Sequence, residues 1–116
     1  MHELGVVFHM IDELKAVAAD NDVQDISKVV VELGEVSTVI PSYLQDCWKW
    51  AAVKHDFLKN CELGIEIIPA VTYCEACGKE YGTVEFGRAC PCCGSGRTYL
   101  IRGNEFLIKE IEVPEV

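Results

Sequence analysis

YCEACGKEYGTVEFGRACPCCGSGR, residues 73–97, decides how this chain is built. The stretch is rich in Gly and Cys and poor in large apolar side chains. Such a segment cannot bury enough surface to hold itself, so it needs a staple. Cys74-Glu-Ala-Cys77-Gly78 and Cys90-Pro-Cys-Cys93-Gly94 supply one. Each C-x-x-C-G turn presents two thiolates, and the Gly behind it tolerates a positive φ that lets backbone N–H groups point at sulfur. Two such turns facing each other make a tetrahedral four-sulfur site, the usual setting of structural Zn(II). Residues 78–89 between the pairs are slightly fewer than in common zinc ribbons, which predicts a tight loop. A Cys90/Cys92 pair is the alternative, but the Gly follows Cys93, so Cys93 is preferred and Cys92 is left as a spare thiol. Lys79, Arg88 and Arg97 are near enough in sequence to offset the charge of four thiolates, or are ordinary solvated cations.

Outward from this segment the pattern changes to globular. TYLI (98–101), a turn at Arg102-Gly103-Asn104 and FLIKEIEV (106–113) read as a β-hairpin. On the other side GIEIIPAVT (64–72) reads as one strand, placed at an edge or bulged because Pro69 cannot donate a ladder hydrogen bond. Leu44, Cys47, Trp48, Ala51, Ala52 and Leu58 form the apolar stripe of a helix opened by Pro41, with Ser42 and Gln45 as a candidate capping box. Asp25–Leu33 alternates as a strand, and Leu4, Val7, Phe8, Ile11, Leu14 and Ala18 recur at helical spacing from about Leu4 to Ala19. The expected architecture is α+β. Two helices pack on a small antiparallel β-sheet (1–72 with 98–116), and a zinc-ribbon-like lobe is inserted at 73–97.

Composition narrows the function. The 116 residues are 50% hydrophobic with a formal charge of −9. Nucleic-acid binding draws its affinity from Lys and Arg neutralising phosphates, so no nucleic-acid partner is expected. No apolar run approaches the roughly 20 residues that span a bilayer, and MHELGVVFHMIDELK lacks the basic start of a signal peptide. A cytoplasmic location without membrane attachment follows as the expectation. There thiols stay reduced and clustered cysteines read as metal ligands. A closed four-sulfur zinc has no open coordination position, so the chain does not read as a zinc enzyme. A C-x-x-C redox couple lacks its βαβ setting.

Met1-His2-Glu3 offers different chemistry. A free α-amine, the next peptide nitrogen and the His2 imidazole can close adjacent chelate rings in one plane. Planar nitrogen donors suit Ni(II) or Cu(II) over tetrahedral Zn(II). The backbone nitrogen or carboxylate of Glu3, or a more distant group, would complete the set. The plainer reading of a His at position two is a solvated side chain. His9, seven residues on, is an additional candidate donor, and His55 reads as a packed histidine. Trp48 is expected in the core and Trp50 on the surface. Cys47 and Cys61 read as small buried hydrophobes.

Taken together, the MHE start, KVVVELGEVS, the paired C-x-x-C turns and GNEFLIKEIEV resemble the HypA/HybF family of hydrogenase nickel-incorporation proteins across essentially the whole chain. The resemblance implies a non-enzymatic metallochaperone. Ni(II) would be bound weakly with His2 as the essential ligand, and Met1 and Glu3 would contribute backbone nitrogens. Zn(II) would be held by Cys74, Cys77, Cys90 and Cys93. The implied partners are a GTPase nickel-insertion maturation protein and the large subunit of [NiFe]-hydrogenase, and in some members urease maturation proteins. The resemblance assigns no role to Cys92, Cys47 or Cys61, and it leaves monomer and homodimer open. The competing reading is a zinc-ribbon adaptor that mediates protein contacts without nickel transfer. A thiol redox enzyme, with Cys92 as its candidate, is a third.

Overall fold

The computed structural model describes residues 3–114. Helix α1 (Glu3–Asp20) leads into strand β1 (Lys28–Gly34), helix α2 (Pro41–Ala52), a 3-10 turn (Asp56–Leu58) and strand β2 (Glu62–Ile68). Strands β3 (Val71–Cys74) and β4 (Glu80–Gly82), the one-turn helix α3 (Thr83–Phe86), and strands β5 (Thr98–Arg102) and β6 (Phe106–Glu112) follow. The strands form two three-stranded sheets, ordered β2-β1-β6 and β4-β3-β5. No helix among the described residues is long and apolar enough to cross a membrane.

The chain divides into two compact units. One comprises Met1–Val31, Thr38–Glu66 and Leu107–Val116; the other comprises Glu32–Ser37 and Ile67–Phe106. The first has an ordinary apolar core. Val7, Met10 and Leu14 of α1, Val29 and Val31 of β1, Leu44 and Trp48 of α2, and Leu58 are all buried. The i, i+3, i+4, i+7 spacing along α1 puts its buried residues on one face. The Trp48 indole N–H donates to the Cys61 carbonyl at 3.1 Å, so its one polar atom is satisfied on burial. Trp50, two residues on, projects outward with about half its surface open.

Three local expectations give way to tertiary structure. The hairpin of 98–101 with 106–113 does not form: β5 pairs antiparallel with β3, and β6 belongs to the other sheet. Alternation shows which face a strand buries but does not identify its neighbour, and Gly103, at φ +117°, turns the chain from one sheet to the other. The single strand expected over 64–72 is two strands, because Pro69 breaks the ladder and β2 and β3 belong to different sheets. The Ser42/Gln45 capping box is absent. Ile40 is the N-cap of α2 with no side-chain cap of its own. Its backbone N–H donates to the Glu3 carboxylate of α1 at 3.2 Å, while the Gln45 side chain donates to the Leu63 carbonyl.

Candidate metal centre

The second unit is built around two near-identical turns. In the first, Gly78 N–H donates to the Cys74 carbonyl at 2.8 Å and Cys74 N–H to the Lys79 carbonyl at 2.9 Å. In the second, Gly94 N–H donates to the Cys90 carbonyl at 2.8 Å and Cys90 N–H to the Ser95 carbonyl at 3.0 Å. Gly78 and Gly94 have φ of +74° and +73°, the positive values that a Gly at this place in each turn allows. Strand β3 delivers Cys74 at its end and the following turn carries Cys77. The chain then passes through β4 and α3, and the second turn delivers Cys90 and Cys93 just before β5. Two bonds fix this excursion: Thr72 and Thr83 hydroxyls meet at 2.6 Å, and the Thr98 hydroxyl donates to the Arg88 carbonyl at 2.7 Å.

The Sγ atoms of Cys74, Cys77, Cys90 and Cys93 converge, all within 4.8 Å of one another. Cys74–Cys93 and Cys77–Cys90 are each separated by 3.6 Å. Sulfurs about 2.3 Å from a tetrahedral zinc lie roughly 3.8 Å apart, so these four fit such an ion with only small adjustment. Zinc bound there would crosslink four thiolates and offset half of their charge. Cys92, exposed on the same turn, is outside the group. Among the described residues this is the one cluster of metal-ligating side chains of its kind.

Backbone dipoles already favour anionic sulfur in the second turn. N–H groups of Cys93 and Cys92 directed at the Cys90 sulfur lower its pKa to about 6, against the cost of burial. The Lys79 N–H acts in the same sense on Cys77. There it is outweighed by burial and by the neighbouring thiols of Cys90, Cys74 and Cys93, and the Cys77 pKa rises to about 12. One proton-poor sulfur beside proton-holding neighbours is what four crowded thiols do before a cation joins them, and a divalent ion displaces those protons. Arg97 is paired with Glu75 at 3.6 Å, so that cation is committed locally.

Met1 and His2 lie outside the described residues. Glu3 opens α1, its carboxylate on Ile40 N–H. His9 lies on the exposed side of α1 with its Nε2 2.7 Å from Glu13, a surface pair one helical turn long. His55 is half-buried, edge-on to Phe57. Cys47 and Cys61 are half-buried rather than the fully buried hydrophobes expected. Burial raises the Cys61 thiol to about 11, which leaves it a poor nucleophile and a poor ligand. The sequence reading missed the Glu35 carboxylate, which accepts from Ala70 N–H at 2.9 Å, because no local motif announces a bond between residues so distant in sequence.

The family described as "Hydrogenase/urease nickel incorporation, metallochaperone, hypA" matches residues 1–113. A hydrogenase maturation factor HypA from Chlorobium phaeobacteroides is 32% identical over 97% of this chain and 99% of its own length. A hydrogenase maturation factor HybF from Klebsiella pneumoniae is 29% identical over 97% of this chain and 98% of its own. The solution structure of the Ni metallochaperone HypA from Helicobacter pylori shares the fold, with a TM-score of 0.73 at 24% identity over 97% of both chains.

Proposed function

The chain belongs to the HypA family of hydrogenase/urease nickel-incorporation metallochaperones, and from that membership we propose that it carries Ni(II) on residues 1–3 and Zn(II) in a separate lobe. The family's role is that of a maturation factor rather than an enzyme. In this reading Cys74, Cys77, Cys90 and Cys93 hold zinc permanently and shape the lobe at 73–97, while 1–72 with 98–116 carries the cargo. The converging sulfurs of the lobe support the first half of that division.

For the cargo, His2 supplies imidazole, Met1 its α-amine, and Glu3 its backbone nitrogen. The Glu3 carboxylate accepts from Ile40 N–H and so ties the first described turn of α1 to the start of α2. A site of so few donors loads and unloads readily, as delivery requires. The ion passes, with a GTPase maturation partner, to the hydrogenase large subunit in the cytoplasm, and urease maturation proteins are further candidate recipients. The zinc-only adaptor reading provides no role for the MHE start.

Metal stoichiometry tests the assignment. Native chain should hold one zinc and one nickel per chain. His2→Ala should lose nickel and keep zinc, and residues added ahead of Met1 should weaken nickel binding by removing the free amine. Nickel binding unchanged in His2→Ala would end this account.

A further inference from the structure

Helices α1 and α2 pack side by side in the first unit, and their seam is not closed at the surface. Leu4 of α1 and Asp46, Cys47 and Trp50 of α2 line an apolar cavity of about 230 Å³ open to solvent. Helical spacing extends the stripe: Phe8 lies one turn beyond Leu4, and Tyr43 one turn before Asp46 and Cys47. Phe8, Tyr43 and Trp50 are 48%, 56% and 53% exposed; Trp50 lines the hollow, and helical spacing continues its two walls through Phe8 and Tyr43. Single exposed hydrophobes need no explanation, but a contiguous group around a concavity marks a contact surface. One face of the Trp50 ring is already covered by the chain's own Lys54 ammonium, 4.2 Å from the ring centroid, so a partner's apolar side chain meets the rest of the ring.

Charge selects the occupant. Asp46 stands in the wall of the hollow, exposed and without an ion pair among the described residues, and Asp12 follows Phe8 on α1. The whole chain carries −9, so a second copy would bring like charge to this face. We propose that the α1–α2 seam is the docking surface for a basic protein partner, which inserts an apolar side chain between Leu4, Cys47 and Trp50 and sets a Lys or Arg against Asp46. This rests on the nickel-carrier reading, which it deepens. Leu4 is two residues from His2 in the sequence.

The test uses the full zinc-loaded chain and the GTPase maturation partner, with binding read by calorimetry at low and high salt. Trp50→Ala and Asp46→Lys should each weaken binding by roughly tenfold or more, as expected for an aromatic anchor and a reversed charge at the centre of an interface. Asp46→Asn should weaken it less and flatten the salt dependence. Nickel and zinc content should stay at native values in all three, because none of these residues is assigned to a metal. If the native chain binds the GTPase and Trp50→Ala and Asp46→Lys bind within twofold of it, the seam is not the surface and the nickel reading stands. If the native chain loads nickel but does not bind the GTPase, both the seam and the delivery step fail. If sedimentation shows that the native chain is a dimer and Trp50→Ala a monomer, the occupant is a second copy and the proposal is overturned.

Discussion

At the scale of single residues, the second unit depends on places where backbone approaches backbone. A Cβ on Gly34 would overlap the Gly103 carbonyl, and one on Gly103 would overlap Ala70. Gly103 also has a positive φ that side-chain-bearing residues rarely adopt. Gly103→Ala therefore combines overpacking with backbone strain and should cost at least about 2 kcal/mol in urea unfolding. Gly96→Ala, where a Cβ meets nothing, is the control and should stay within about 0.5 kcal/mol. Glu105 supplies the pH dependence of the same turn. Backbone N–H groups of Gly103, Glu105 itself and Asn104 hold its carboxylate below the usual range. A depressed folded-state pKa gives stability that is fully present above the unfolded carboxylate value and lost as pH falls through the folded one. Glu105→Gln should flatten the acid limb of the stability profile below about pH 4.5, where native stability is falling, and the difference should be read as urea midpoints between pH 3 and 7.

At the scale of elements, what was legible in the sequence follows from the range of each signal. Helix α1 was legible because its stripe of Val7, Ile11, Leu14 and Ala18 is a local periodicity that packing reinforces. The turns of the lobe were legible because Cys-x-x-Cys-Gly specifies its own backbone geometry. The β5–β6 hairpin was misread because two alternating strands and a Gly-Asn turn describe sheet faces equally well whether the strands pair with each other or with strands elsewhere. Pro69 was recognised as a disruption, yet nothing local distinguishes a bulge from a crossing between sheets. The start of α2 shows the same limit. Ser42 and Gln45 have capping chemistry, but the N-cap N–H is satisfied by Glu3, 37 positions away in sequence. Removing that acceptor should cost α2 about what losing an N-cap costs, so Glu3→Ala should destabilise the first unit by about 0.5–2 kcal/mol, measured by chemical denaturation of the zinc-loaded, nickel-free chain. Glu3→Gln, which keeps an acceptor oxygen, should recover most of the loss.

At the scale of the whole molecule, the two units are held by different forces. Most of the buried apolar residues belong to the first, including every large one on α1 and α2. Among the described residues the second unit contributes Leu33, Ala70, Cys74 and Cys90 to the buried apolar set. Two of its four core side chains are therefore cysteine thiols, and a core of that size does not offset the entropy of ordering the unit's 46 residues. On the proposed zinc reading, metal binding energy is folding energy there, whereas the first unit has an apolar core of its own. Removing zinc with a chelator, or replacing Cys74 with Ser, should abolish amide protection across β3, β4 and β5 and release the packing of Tyr73 on Tyr99, whose ring centroids are 5.4 Å apart. Trp48 fluorescence and protection in α1 and α2 should persist, because Trp48 is buried among apolar side chains of the first unit. Loss of the Trp48 signal in step with zinc would show that the first core cannot stand without the lobe. Retention of protected β3 and β5 amides in zinc-free Cys74→Ser would show that the sulfurs are not what holds the lobe together.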